Sequence, residues 1–238
     1  GSTNQAGEDS RNVARHAALL AGLPVTVPGQ TVNRLCASGL GAIIDSARAI
    51  TCGEGDLYIA GGVESMTRAP FVMAKAESAY SREAKIYDTT IGSRFLNPQI
   101  VKQFGGHSMP ETGDNVAVEF GISREQADAF AAASQAKYGA AKQAGFFEDE
   151  ITAVEVSQGR KLPPKSVVED EHPRPSSNFE ALQKLKPLFE GGVVTAGNAS
   201  GINDGAAAVL IGSEAVQQKY GLKPIAKILS AAAAGIEP

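Results

Sequence analysis

Residues 31–62 read TVNRLCASGLGAIIDSARAITCGEGDLYIAGG, and this stretch decides the predicted fold. Its first part, Val32 to Leu35, indicates a short strand. Residues 38–50 carry apolar side chains at spacings of three and four, which predicts a helix. The apolar run from Leu57 to Ala60 ends at two glycines and predicts a buried strand. Strand, helix and strand in this order are the building block of a parallel sheet, so the stretch predicts an α/β protein.

Sequence on both sides of this stretch carries further helix and strand signals. Ser10 predicts the N-cap of a helix over residues 11–21. Ser123 and Gln126 form a capping-box pattern for a helix that ends near Ala144. The remaining predictions are strands at 151–156, 206–211 and 225–230, a helix from Ser213 to Tyr220, and a surface loop at 157–178.

The character of the sequence changes after Met66 and changes back near Val193. The intervening part is more polar and more often interrupted, whereas both flanks are rich in buried-strand patterns. We therefore predict a core domain from residues 1–66 and 196–238, with residues 67–195 inserted as an α+β domain. Such an insertion makes the core discontinuous in sequence.

Composition excludes several classes of protein. The net charge of −4 argues against a nucleic-acid binder, which usually has a basic excess. No apolar run approaches the length of a membrane span, and we see no signal peptide. Two cysteines are too few for a disulfide scaffold and favour a reducing, cytoplasmic location.

Cys36 is the sharpest candidate for chemistry, because it follows the first predicted strand and directly precedes the predicted helix. Backbone N–H groups at a helix N-terminus carry partial positive charge, which stabilises a thiolate and can bind a developing oxyanion. The alternative is a buried, inert cysteine. Cys52 has no comparable context, and we assign it no function.

Other polar segments are weaker candidates. Residues 195–205 are dense in small residues, Asn and Asp, which suits either a ligand-binding loop or an elaborate turn. A local basic excess suits phosphate groups, although most of its members are expected on a solvated face; it comprises Arg160, Lys161, Lys165, Arg174, Lys184 and Lys186. None of His16, His107 and His172 has the context of a partner for Cys36.

In sequence order, these segments resemble the thiolases, acyltransferases that cleave or form 3-ketoacyl-coenzyme A. The similarity runs from about Asn4 to the end of the chain. The matching segments are Asn33–Leu40 (NRLCASGL), Ala60–Met66 (AGGVESM), Ser108–Thr112 (SMPET) and Thr195–Gly205 (TAGNASGINDG). The resemblance implies a layered α-β-α core, incomplete because its C-terminal half is absent, with an inserted α+β domain.

The resemblance also implies roles for individual residues. Cys36 would accept the acyl group, with its backbone N–H in an oxyanion hole. Ser200 would contact the pantetheine arm, Arg174 the nucleotide end of coenzyme A, and Phe189 the adenine or the pantetheine. Met109 would shape the acyl pocket. Coenzyme A or acetyl-coenzyme A would be a substrate, with no permanently bound cofactor and no metal, and the enzyme would be a homodimer or homotetramer without nucleic-acid or membrane partners.

One departure concerns the residue before Met109. Many thiolases have His there, whereas this chain has Ser108 with His107 one place earlier, which indicates a different acyl group. Three segments are most similar to the 3-oxoadipyl-coenzyme A thiolases, which implies cleavage of that substrate to succinyl- and acetyl-coenzyme A. They are Gln5–Asp9, Met109–Thr112 and Glu171–Pro175.

The resemblance further implies a second core domain beyond Pro238 that supplies an activating His, an oxyanion-hole partner and an acid/base Cys. We therefore expect the 238-residue chain alone to turn over poorly and to expose an apolar face. Within the family, the alternatives are an acetyl-coenzyme A acetyltransferase or a fatty 3-ketoacyl-coenzyme A thiolase. Outside it, they are a ketoacyl or hydroxymethylglutaryl-coenzyme A synthase, a cysteine hydrolase, and a non-catalytic acyl-coenzyme A-binding protein or inactive fragment.

Overall fold

A computed structural model describes residues 1–236, which form two compact units. The first unit comprises Gly1–Gly106 and residues 202–236, and the second comprises His107–Gly201. Each unit mixes helices and strands, in agreement with the predicted α/β class. None of the helices within the described residues is both long and apolar enough to cross a membrane.

The first unit is built around a two-stranded antiparallel ribbon. Strand β1 (Leu57–Glu64) pairs with β6 (Gly205–Gly212), from Leu57 opposite Gly212 to Glu64 opposite Gly205. Its elements are α1 (Val13–Leu20), α2 (Ser38–Thr51), β1 (Leu57–Glu64), β2 (Phe71–Met73), β3 (Ile86–Asp88), α3 (Pro98–Phe104), β6 (Gly205–Gly212) and α7 (Glu214–Tyr220).

Helix α2 packs against one face of the ribbon. Gly62 of β1 lies beside Gly39 of α2, and a Cβ added to Gly62 would lie 3.5 Å from Gly39 Cα, in ordinary van der Waals contact. The opposite face is uncovered within the described residues. Its opposed pair Ile59 and Leu210 is 59% and 60% exposed, which agrees with the expected apolar surface.

The predicted parallel unit over residues 31–62 is wrong at its first strand. Val32 to Leu35 forms no strand in the described chain, because Leu35 adopts a left-handed backbone with φ of 52°. Instead, the backbone of Gly1 hydrogen-bonds to β1. The Gly1 ammonium donates to Gly61 O over 2.8 Å, and Val63 N–H donates to Gly1 O over 3.1 Å.

Two other predictions in this unit need correction. Helix α1 is capped by Asn12, whose side chain accepts from Arg15 N–H, whereas Ser10 has a left-handed φ of 49° and precedes the helix. The strand expected at 225–230 does not form, because no described strand lies beside it to complete its backbone hydrogen bonds. The positions of α2, β1, β6 and α7 are confirmed, but the predicted burial of the two strands is wrong, because one face of their ribbon is uncovered within the described residues.

The second unit contains two long helices and a small hairpin. Its elements are α4 (Met109–Phe120), α5 (Arg124–Gln143), β4 (Val154–Val156), β5 (Lys165–Val167) and α6 (Phe179–Gln183). The predicted capping box at the start of α5 is confirmed, with Ser123 and Gln126 in their expected roles. The predicted strand at 151–156 is shorter, and part of the predicted loop at 157–178 is β5, which pairs antiparallel with β4.

The contact-based units divide the chain at different residues from the predicted domains. Residues 67–106 belong to the first unit, where Thr67 donates to Asp204 and Asn4 Nδ2 donates to Thr89. The second unit therefore begins 40 residues later than the predicted insertion at residue 67. The domain boundaries at residues 66 and 195 stay a prediction.

Candidate functional site

Cys36 lies in the turn that leads into α2, and its thiol is free and exposed. Cys36 is therefore not buried within the described residues, and its reactivity stays a prediction. Cys52 is also exposed, at the C-cap of α2. Of the two cysteines, only Cys36 therefore combines accessibility with the start of a helix.

Ser38 and Asn33 hold the turn around Cys36. The buried Ser38 Oγ accepts from Arg34 N–H over 2.8 Å and donates to Leu35 O over 2.6 Å. Asn33 Oδ1 accepts from Leu35 N–H over 2.9 Å. These bonds stabilise the left-handed Leu35, a conformation that costs energy for a non-glycine residue. The turn is thus fixed on both sides of the thiol.

Two backbone amides of the turn are already occupied. Ala37 N–H donates to Arg34 O over 3.1 Å, and Ser38 N–H donates to Leu35 O over 3.0 Å. No side chain caps α2, whose N-cap is Ala37. An oxyanion hole at this turn would therefore draw on other donors, and the assignment of Cys36 N–H to it stays a prediction.

The loop that carries Ser200 is held by a buried network in the second unit. Thr195 is fully buried, and its Oγ1 accepts from the backbone N–H groups of Gly197 and Asn198. Asn198 Oδ1 accepts from Thr195 N–H over 2.7 Å, while Asn198 Nδ2 donates to Val193 O over 2.9 Å. Ser200 itself is exposed at the end of this fixed turn.

Asp128 anchors the same loop and was missed by the sequence analysis. Its carboxylate is fully buried and accepts from Arg124 Nε at 2.6 Å, Gln183 Nε2 at 2.8 Å and Asn198 Nδ2 at 2.9 Å. The sequence offered one signal, an Arg–Asp pair spaced i,i+4 at the start of α5. Such pairs usually lie on solvated surfaces, so the spacing alone did not indicate burial.

The other three predicted site residues lie in the second unit and are exposed. Arg174 follows Pro173, and its backbone N–H donates to Gln135 Oε1 on α5 over 2.7 Å. Phe189 lies in a turn closed by Gly192 N–H, and Met109 is the first residue of α4. Ser200, Arg174, Phe189 and Met109 therefore share one unit, whereas Cys36 belongs to the other.

Ser108 caps helix α4, which the sequence analysis also missed. Ser108 Oγ accepts from Glu111 N–H, and Ser108 N–H donates to Glu111 Oε2 over 2.7 Å. Hydrogen bonds from the Ser108 backbone and hydroxyl lower the pKa of Glu111 below its ordinary value of 4.5. His107 Nδ1 lies 3.3 Å from Asn115 Nδ2. The departure from His to Ser before Met109 thus supplies a helix cap.

A cavity of the second unit lies between α4, α5 and residues 193–194, with a volume of about 480 Å³. Its walls are mainly apolar, and none of the predicted site residues lines it. Residues 1–236 hold no cluster of three or more His, Cys, Asp or Glu side chains that could bind a metal ion.

Asp204, at the end of the Ser200-containing segment, gives a pH-dependent prediction. Thr67 donates to both of its carboxylate oxygens, over 2.6 Å from the hydroxyl and 2.9 Å from the backbone. These bonds lower the pKa of Asp204 below its ordinary value of 3.8. A carboxyl group whose pKa is lower in the folded state stabilises the fold at pH values above its unfolded-state pKa. This stabilisation is lost as the pH falls through the folded-state pKa.

We therefore expect Thr67→Val to raise the pKa of Asp204 toward 3.8, measured by carboxyl NMR titration. The stability difference from the wild type should be present above about pH 4 and shrink below it. Thr152→Val, at an exposed position, is the matched control and should leave the Asp204 titration unchanged. An unaltered Asp204 titration in Thr67→Val would contradict the assignment.

Comparison with known proteins supports the resemblance seen in the sequence. The family model described as "Thiolase, N-terminal domain" matches residues 1–215. A beta-ketoadipyl-CoA thiolase of Pseudomonas aeruginosa is 57% identical over 240 residues, which cover 100% of this chain and 59% of the relative. A 3-oxoadipyl-CoA/3-oxo-5,6-dehydrosuberyl-CoA thiolase of Escherichia coli K12 is 56% identical over 239 residues, with the same shares covered.

A solved structure agrees with these relatives. The crystal structure of human mitochondrial 3-ketoacyl-CoA thiolase in complex with CoA matches with a TM-score of 0.79 and 36% identity, over 94% of this chain and 54% of that chain. The predicted thiolase-like fold class is therefore confirmed, and the chain spans about 59% of the length of the curated relatives. With a family model over residues 1–215 and relatives more than half identical along its whole length, the chain belongs to the thiolase family.

Proposed function

We propose that the protein is a coenzyme A-dependent acyltransferase that cleaves 3-oxoadipyl-coenzyme A through an acyl-enzyme on Cys36. The observation that carries the proposal is the exposed Cys36 thiol in a turn fixed at the start of α2, in a chain of thiolase sequence. The substrate follows from relatives 56–57% identical that are named beta-ketoadipyl-CoA or 3-oxoadipyl-CoA thiolases.

The proposed reaction has two steps, and each conserves atoms and electrons. In the first, the Cys36 thiolate attacks the 3-keto carbon, the bond between C2 and C3 breaks, and its electron pair leaves with the acetyl-coenzyme A fragment. That carbanion takes up one proton, a task that the family resemblance gives to a Cys in the second core domain. A succinyl thioester remains on Cys36. In the second step, the coenzyme A thiolate attacks this thioester, which forms succinyl-coenzyme A and restores the Cys36 thiolate.

The residues of the second unit would bind coenzyme A rather than react. Ser200 would contact the pantetheine arm, Arg174 the nucleotide end, and Phe189 the adenine or the pantetheine, while Met109 would shape the acyl pocket. Arg174 suits a phosphate because its guanidinium offers several donors in a planar array. Coenzyme A is a substrate in this scheme, with no permanently bound cofactor. A homodimer or homotetramer and a cytoplasmic location stay predictions.

Mass spectrometry after exposure to 3-oxoadipyl-coenzyme A tests this function, with the second core domain that the family resemblance implies present. We expect a succinyl adduct that peptide mapping places on Cys36 and that added coenzyme A releases as succinyl-coenzyme A. Cys52→Ser is the matched control and should retain the adduct, whereas Cys36→Ser should lose it. An adduct with acetyl-coenzyme A alone would favour an acetyltransferase, and binding without any adduct would show a non-catalytic acyl-coenzyme A-binding protein.

A further inference from the structure

One stripe of helix α5 holds both segments to which we assign coenzyme A contacts. The stripe consists of Asp128, Gln135, Gly139 and Lys142, which follow one another at intervals of seven, four and three residues. With about 3.6 residues per turn, these intervals return to nearly the same side of a helix. The four residues therefore present one line of contacts along α5.

The three C-terminal residues of the stripe contact the segment around Arg174. Gln135 Oε1 accepts from the Arg174 backbone N–H over 2.7 Å, and Lys142 Nζ forms an ion pair with Glu169 at 3.0 Å. Gly139 lies against Pro175, where an added Cβ would stand only 2.9 Å from Pro175 Cβ. Three residues of α5 thus contact one loop, and at Gly139 only a residue without a side chain fits.

Asp128, the N-terminal residue of the stripe, contacts the loop that carries Ser200. Asp128 Oδ1 accepts from Asn198 Nδ2 over 2.9 Å, and Asn198 in turn bonds to Thr195 N–H and Val193 O. Asp128 and Gln135 are seven residues apart, which is about 10 Å along a helix axis. Because both loops are attached to the same rigid helix, their separation is set before any ligand binds.

We propose that α5 is the positioning element for coenzyme A, with Gln135 and Gly139 as positioning residues that act through Arg174. This proposal rests on the proposed function, since it takes Arg174 and Ser200 as contacts for the two ends of one coenzyme A molecule. A preset separation lowers the ordering cost of binding a long flexible ligand. None of the stripe residues needs to touch coenzyme A for this effect.

Gly139→Ala separates positioning from stability. Alanine has a higher helix propensity than glycine, and this gain opposes the cost of moving Pro175, so the unfolding temperature of the variant should differ little from that of the wild type. Its Cβ displaces Pro175 and hence Arg174, so we expect coenzyme A to bind about tenfold more weakly by isothermal titration calorimetry. The matched control is Ala136→Gly on the exposed side of the same helix, which should lower the unfolding temperature and leave the affinity for coenzyme A unchanged.

Gln135→Met gives a second, ligand-free measurement. Methionine has a similar length but offers no comparable acceptor, so the Arg174 amide should exchange its hydrogen faster than in the wild type. The positioning role would be overturned if the Arg174 amide exchanged faster in Gln135→Met while both Gln135→Met and Gly139→Ala kept the wild-type affinity for coenzyme A. The proposed function would remain intact in that case. A wild-type protein that does not bind coenzyme A would instead overturn the proposed function, and the positioning role with it.

Discussion

Asp128→Ala should lower the free energy of unfolding by about 3–5 kcal/mol, the usual cost of removing one partner from a buried ion pair. The substitution leaves Arg124 Nε, Gln183 Nε2 and Asn198 Nδ2 without their common acceptor. Arg124 is partly exposed and also donates to Leu182 O and Leu185 O, so part of its charge remains compensated. We therefore expect the lower end of that range, measured by urea unfolding followed by circular dichroism.

Asp149→Ala is the matched control for this measurement. Asp149 is exposed, and its replacement should change the unfolding free energy by no more than about 0.5 kcal/mol. A loss below about 1 kcal/mol in Asp128→Ala would show that water or rearranged side chains satisfy the three donors as well as the carboxylate does. The buried network would then not be what fixes the Ser200 loop.

Asp128 also shows where sequence reasoning stops. A single Asp on an amphipathic helix is normally solvated, and nothing within a few residues indicates otherwise. Its burial depends on Gln183 and Asn198, which lie 55 and 70 residues further along the chain. Only the folded unit brings these amide groups to one carboxylate, so the network could not be predicted from local spacing.

Strand pairing was unpredictable for the same reason. The apolar runs of β1 and β6 were recognised, but the sequence between them holds no turn that sets their direction. Packing in the folded unit decides the antiparallel pairing of strands so distant in sequence, and it leaves no local signal. The local strand–helix–strand pattern therefore predicted that residues 32–35 pair in parallel with β1. Local signals succeeded where the cause is local, as in the capping box of Ser123 and Gln126.

Helix α4 was missed although its signal is present in the sequence. Ser108 and Glu111 have capping-box spacing, and Pro110 suits the first turn of a helix. We interpreted the segment as pocket-lining because it matched a family motif. The structure shows that the same residues serve the helix terminus, so a family motif and a capping signal need not exclude each other.

Cys36→Ala should slow acylation by 3-oxoadipyl-coenzyme A by at least about 10⁴-fold, because no other group at the turn can form the thioester. The rate is best measured in a single turnover with the second core domain that the family resemblance implies present, since acylation draws on its His and Cys but needs no second coenzyme A. Cys36 is exposed, so the substitution should change the unfolding free energy by no more than about 0.5 kcal/mol. Affinity for coenzyme A should change little, because Ser200 and Arg174 are unaltered.

Two controls make the result specific to this sulfur. Cys52→Ala removes the other exposed thiol and should leave the acylation rate within about twofold of the wild type. Cys36→Ser keeps the size of the side chain but replaces the thiolate by a hydroxyl that is barely ionised, so it should be nearly as slow as alanine. An acylation rate within tenfold of the wild type in Cys36→Ala would place the nucleophile elsewhere. The fixed turn at the start of α2 would then have only a structural role, and membership of the thiolase family would not identify the nucleophile.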